Sequence, residues 1–252
     1  FAYLSARIRD EVVSNLTTEK ISAAEGGYIF RFSGISGRLS AYYSQFDDQI
    51  ENISYYHDEL RTFVNYVTSD ISKRHSGVEL GLNTKVSTTF SIEAALAYGK
   101  YVYTNRPVAT ITQDNSSKVV DEGKVIYLKN YRVPGVPQTA ATLGFNYNSP
   151  DFWFLSANVN YFDQNYVDTN FDRRTAGAVD LVDKDENPEK FYEIIGQEKL
   201  PSQFTVDFLA GYSYKFGKYI VGGTLSVGNV LDNQDFITSG FEQNRYDFIT
   251  KD

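Results

Sequence analysis

Chemistry in this chain would have to begin with its two histidines, His57 and His75, because there is no cysteine to act as a nucleophile or thiolate ligand. A serine hydrolase places its histidine between a nucleophile and an acid, by geometry that spacing alone does not supply. His57 stands in a tyrosine-rich polar link, Tyr55-Tyr56-His57-Asp58, and His75 follows Lys73-Arg74 near the start of an alternating segment. No nucleophile-elbow pattern occurs, so both read as solvated or wall histidines and the chain reads as no enzyme. The segment Asp183-Lys184-Asp185-Glu186-Asn187 opens like a calcium loop with oxygen donors at every second position. Pro188 and Ile194 then occupy the places of the loop glycine and the bidentate glutamate, which leaves an acidic loop as the plainer reading. No metal and no cofactor is expected.

Binding residues are better represented than catalytic ones. Tyr55-Tyr56 and Tyr101 with Tyr103 offer rings that would stack on a sugar or a ligand ring, although tyrosine belts at a membrane interface are the commoner use. Arg173-Arg174 has the forked donors that clamp an anion, or else is a solvated loop pair. Glu79, Glu93, Gln138, Asn158, Asn160 and Asp207 fall on the polar faces of alternating segments, where they would line a solute path or bond to structure inside it.

These residues need strands to carry them, and the composition favours strands. Twenty Tyr, eighteen Phe and one Trp in 252 residues suit half-buried pleated surfaces. A mean hydropathy of −0.37, with no apolar run near the roughly 18 residues that a membrane helix needs, excludes a helical membrane protein. The net charge of −8 with dispersed basic residues argues against a nucleic-acid partner.

Period-2 alternation is the dominant pattern. Trp153, Leu155, Ala157, Val159 and Tyr161 share one face while Ser156, Asn158 and Asn160 share the other. The same alternation runs through Ile92, Ala94, Leu96 and Tyr98, through Ala141, Leu143, Phe145 and Tyr147, and from Phe204 to Phe216. Strands are expected at about residues 17–32, 37–56, 63–85, 90–104, 127–147, 152–166, 203–216 and 219–231, with a partial one at 1–9. Tight links (Ser33-Gly34-Ile35-Ser36, Ser87-Thr88-Thr89, Asn148-Ser149-Pro150-Asp151, Gly217-Lys218) alternate with long polar ones at about 105–126 and 167–202. Short turns alternating with long loops, between strands longer than those of globular sheets, form the layout of an antiparallel transmembrane β-barrel of the bacterial outer membrane. About nine strands is an odd count for a single-chain barrel, and the chain opens at Phe1 and stops in the polar Lys251-Asp252. The expectation is therefore one partial barrel domain over 1–252, belonging to a larger protein.

Four segments carry a more specific resemblance. They are Leu16-Thr17-Thr18-Glu19-Lys20-Ile21 with Glu25-Gly26-Gly27-Tyr28; Asn65-Tyr66-Val67-Thr68 through Arg74-His75-Ser76-Gly77-Val78-Glu79-Leu80; Tyr161-Phe162-Asp163 with Asp172-Arg173-Arg174-Thr175; and Val227-Gly228-Asn229-Val230-Leu231-Asp232-Asn233. In this order they resemble the C-terminal half of the barrel of TonB-dependent receptors, particularly of Bacteroidetes type. The resemblance implies a 22-stranded barrel around a plugged lumen, of which this chain would be about two fifths. It also implies import of a ligand too large for porins, with outer-membrane lipid around the wall and TonB reached through a plug domain absent from the chain. A surface lipoprotein or other envelope subunits are further partners of that kind. Two rival readings stand beside it: a non-transporting barrel subunit of an envelope assembly, and a secreted all-β binding module.

Overall fold

A strand whose alternate residues are apolar needs two different environments, one for each face. The computed structural model, which describes residues 17–57, 60–114, 116, 118–180, 182–235, 237 and 239–242, supplies them in one antiparallel sheet. Its wall runs β1 (Lys20–Phe32), β2 (Ile35–His57), β3 (Thr62–Lys85), β4 (Phe90–Tyr103), β7 (Thr139–Asn148), β8 (Trp153–Asp163), β9 (Gln203–Phe216) and β10 (Tyr219–Val227), each paired with the next. Between β4 and β7 the chain makes a hairpin, β5 (Val108–Gln113) and β6 (Val119–Val125), which joins the far end of β3. Among the described residues β1 and β10 are the edges of the wall and the sheet does not close. The partial strand expected at residues 1–9 lies outside the described residues.

Register makes the two faces continuous across the wall. Tyr28, Leu39, Leu80, Leu96, Ala141, Tyr161 and Phe204 stand opposite one another in sequence, so one apolar row crosses seven strands. The row through Gly37, Leu82, Ala94, Leu143, Val159 and Val206 repeats it. A one-residue slip at any pair would send that strand's apolar side chains to the polar face. The outward residues stay uncovered: Tyr28 is 66% exposed, Leu96 43% and Leu143 40%. A sandwich in water would bury them, whereas an uncovered apolar face of this extent is stable against lipid. From residue 90 to 98 on β4, the apolar positions span roughly 26 Å along the strand at about 3.3 Å per residue. With a tilt of about 40° this covers most of a bilayer's apolar layer.

The four tight turns close the same end of the wall, and positive φ at Gly34 (81°) and Gly217 (59°) makes two of them possible. Beyond the membrane band the other end thickens. Double register shifts between Phe46 and Glu51 bend β2, and the only buried apolar cluster among the described residues forms there. It contains Val64, Tyr66, Ile71, Tyr103, Ala109, Ile111, Ile126, Leu128, Val133 and Phe171.

Two sequence expectations are corrected. Residues 127–138 are not strand, because Pro134 and Pro137 lack the N–H that a ladder needs and Gly135 turns the chain at φ 82°. The link at 105–126 is largely the β5–β6 hairpin, and that at 167–202 holds a 3-10 turn (Asp172–Arg174) and two short helices, α1 (Ala176–Val179) and α2 (Pro188–Ile195).

The facing predicts opposite costs for one charge. Leu143→Arg, at mid-band on the lipid side, should cost about 2–4 kcal/mol, whereas Asn158→Arg, an exposed position on the other face, should stay within about 0.5 kcal/mol. Equilibrium unfolding in lipid vesicles measures both.

Candidate functional site

The inner face is a ladder of polar side chains placed by the same register. Ser36, Asn83, Glu93, Gly144, Asn158 and Asp207 stand in one row, and Ser40, Glu79, Ala97, Ala140, Phe162 and Gln203 in another. Thr142 Oγ1 donates to Asn160 Oδ1 at 2.8 Å, and Asn160 Nδ2 donates to Asp207 Oδ2 at 2.8 Å and to Thr205 Oγ1 at 3.2 Å. The other Asp207 oxygen accepts the backbone N–H of Asn229 at 2.9 Å, which ties the chain beyond β10 to the wall. Asn83 Nδ2 donates to Glu93 Oε1 at 2.9 Å, and Ser40 Oγ to Glu79 Oε2 at 3.4 Å. Glu79, Glu93, Asn158, Asn160 and Asp207 therefore share one face of the sheet.

Gln138 does something else. It is buried, its amide exchanges two 3.1 Å hydrogen bonds with the backbone of Tyr101, and its Oε1 also accepts from Arg132 Nη1 at 3.1 Å. A side chain is thus continuing the β4 ladder where β7 has not yet begun.

The aromatic residues divide by face. Tyr101 and Tyr103 fall on the inner face with His75 and Tyr42. Tyr42 and Tyr101 share a 2.6 Å hydroxyl hydrogen bond, and His75 lies between Tyr101 (4.6 Å between centroids) and Phe46 (5.1 Å). Gly77 makes this layer possible: a Cβ there would stand 2.6 Å from the Tyr42 hydroxyl and from the Tyr98 carbonyl oxygen. Tyr55 packs against the buried cluster, 6.3 Å from both Tyr66 and His57, while Tyr56 faces outward, edge-on to Phe63. Adjacent strand residues point to opposite faces, so the Tyr55-Tyr56 pair never forms one surface.

Above the wall, on the inner side, the loops enclose a cavity of about 350 Å³. Glu51, Ile53 and Lys73 come from β2 and β3, Tyr103 from β4, Asp168 to Phe171 from the link after β8, and Phe241 and Glu242 from the chain beyond β10. That last segment is fastened by a short parallel bridge: Asp168 N donates to Gly240 O at 2.7 Å and Glu242 N to Asp168 O at 3.0 Å. Arg174 completes the fastening. Its Nη2 lies 2.5 Å from Glu242 Oε1 and 3.1 Å from Gly196 O, its guanidinium sits over the Tyr131 ring, and the side chain is fully buried. Arg173 is 3% exposed. The expected solvated loop pair is corrected: the 3-10 turn directs both arginines inward, where Arg174 holds the loops together.

Charge in the cavity is poorly compensated. Burial pushes the Glu51 carboxyl above its ordinary value; Lys73 opposes the shift and Asp168 adds to it. Asp168 is exposed at the rim, and the partial desolvation it has there raises it. Tyr103 is likewise pushed up by burial, and then by the charges of Glu51 and Asp168.

In the calcium-like segment, Asp183 Oδ1 accepts the N–H groups of Asp185 and Glu186, and Asn187 caps α2 through Lys190 N. Among the described residues no group of three or more His, Asp or Glu is placed to hold a metal.

The family description TonB dependent receptor-like, beta-barrel, matches residues 4–231. The chain belongs to this family. A copper transporter, OprC, superposes with a TM-score of 0.52 at 14% identity, over 86% of this chain and 26% of that one. The siderophore receptor PiuA from Acinetobacter baumannii gives 0.45 at 16%, over 86% and 32%. No curated protein matches. The chain thus spans about a quarter to a third of these receptors' length, and at such identity the likeness is one of fold. Membership sets the barrel in the outer membrane and removes the secreted soluble module as a reading.

Two consequences for the receptor barrel are measurable. Arg174→Ala leaves Glu242 buried without its partner and should cost about 3 kcal/mol; faster amide exchange at Asp168 and Glu242 reads it. Arg174→Met with Glu242→Leu, which removes both charges, should cost less. For pH, a carboxyl whose folded value is raised keeps its proton longer in the fold than in the unfolded chain. Its unfavourable effect is absent below the ordinary carboxylate value, grows as pH rises to the raised one and is constant above. Asp168→Asn should therefore raise the thermal midpoint at neutral pH and leave it unchanged in acid, as followed by heating in detergent.

Proposed function

We propose that the chain forms part of the wall and loop vestibule of a TonB-dependent outer-membrane transporter that imports a ligand too large for porins. The observation that carries this reading is the division of one sheet into a lipid-compatible outer face and a hydrogen-bonded polar inner face that ends in a walled cavity on the loop side. An inner face built this way keeps water and solute away from lipid, and the loop-end cavity, closed by segments from β2, β3, β4 and beyond β8 and β10, is where a ligand would be held first. No covalent chemistry is required of it: His57 and His75 are both engaged in aromatic stacks. Release inward is the task of a plug domain coupled to TonB, which reaches the ligand from within the lumen.

Deletion of the gene, with and without loss of TonB, tests the reading. Growth on one limiting nutrient should fall in each single mutant and fall no further in the double. Unchanged growth on every nutrient tested, together with loss of an envelope complex, would overturn transport in favour of a scaffold subunit.

A further inference from the structure

The loop-end cavity has a chemistry that points to one class of ligand, and the inference rests on the reading of this face as the capturing side. Two carboxylates, Glu51 and Asp168, line it, and among the described residues neither side chain accepts a hydrogen bond or forms an ion pair. The other charges are engaged. Glu242 is held by Arg174 and also accepts the Asn170 N–H at 3.1 Å, while Lys73 lies over the Tyr103 ring, 5.3 Å from its centroid, and acts on Glu51 only through space. The cavity is left with a net negative charge, carried by Glu51, which is half-buried, and by Asp168, which is exposed at its rim.

The walls add a second and independent feature. Tyr103 and Phe171 meet edge to face at 6.2 Å on the inner side. Phe241 stands at the mouth, 76% exposed, yet its backbone is pinned by the bridge to Asp168. A large ring held in water by its own backbone has no role in the buried cluster and offers a surface for stacking. Carboxylates beside aromatic faces recognise a cation with an apolar body, through charge-assisted hydrogen bonds and cation–π attraction. A bare metal ion fits less well, because no three donors converge here among the described residues, and an anion would face two carboxylates.

We propose that this cavity binds an organic cation, a primary ammonium or guanidinium group carried on an apolar or aromatic body, with Glu51 and Asp168 taking the charge and Phe241 taking the body.

The full-length receptor in detergent, titrated calorimetrically with benzylamine, benzyl alcohol, benzoate and copper(II), tests this. Benzylamine should bind saturably and neither benzyl alcohol nor benzoate should. The Glu51→Gln, Asp168→Asn pair should weaken benzylamine by about tenfold or more, the loss of charge-assisted bonds, with its heat-shifted gel mobility unchanged. A Phe241→Ala variant, exposed and outside the core, should weaken it more modestly. Equal binding of benzyl alcohol, benzylamine binding indifferent to both variants, or no amine binding at all would overturn the proposal. Saturable copper binding lost with Glu51 and Asp168 would overturn it in favour of a metal site. TonB-dependent uptake without amine binding would leave transport intact and remove only this assignment, while amine binding without uptake would do the reverse.

Discussion

Everything in this structure depends on backbone hydrogen bonding in a solvent that cannot supply it. Within a bilayer an unpaired N–H or C=O costs several kcal/mol, so a strand there survives only with a partner on each side. The wall meets that demand within the membrane band from β2 to β9 by continuous antiparallel register, the shifts in β2 lying beyond the band, and the rest follows from it. Because the ladder fixes the register, it fixes which residues face lipid. Because it fixes the facing, it also assembles Thr142, Asn160, Thr205 and Asp207, from three neighbouring strands, into one hydrogen-bonded network.

The usual logic of a core is inverted along most of the chain and restored at one end. The wall needs no apolar interior, since lipid covers its apolar side. Beyond the membrane band water returns on both sides, and there the strands must bury apolar residues like any soluble domain. The β5–β6 hairpin, the proline-rich stretch before β7 and the arginine-bearing 3-10 turn all meet at that point. A buried ion pair is a modest contributor to stability but fixes position well. Arg174 and Glu242 illustrate this, holding the chain beyond β10 against the link after β8 as one wall of the cavity.

Much of the wall was legible in the sequence because alternation with period two has few other meanings once tight turns and long links take turns along the chain. That Glu79, Glu93, Asn158, Asn160 and Asp207 share one face of the sheet followed from counting. What was not legible lies where the period breaks. Gln138 keeps the phase of its strand, yet it precedes the first β7 pair and serves as a substitute backbone for β4. Arg173-Arg174 read as solvated because charge in a polar link is usually solvated; its partner Glu242 is 68 residues away, and no local pattern announces it. The β5–β6 hairpin carried a signal in Val108-Ala109-Thr110-Ile111-Thr112, short enough to be lost in a polar link. Tyr55-Tyr56 misled through its chemistry, since strand geometry separates neighbours, whereas Tyr101 and Tyr103, as alternate residues, stay on one face. The acids Glu51 and Asp168 gave no signal in sequence, for only the loop packing brings them to one cavity.

The most direct test is a residue-by-residue spin-label scan of β8 from 153 to 161 in lipid vesicles, comparing collisions with oxygen, which partitions into hydrocarbon, and with a water-soluble nickel chelate. Labels at 155, 157 and 159 should favour oxygen, and those at 156, 158 and 160 the chelate, with a strict period of two. Equal accessibility along the strand, or positions 155 and 159 shielded from both, would contradict a wall that has lipid on one side and a hydrated lumen on the other.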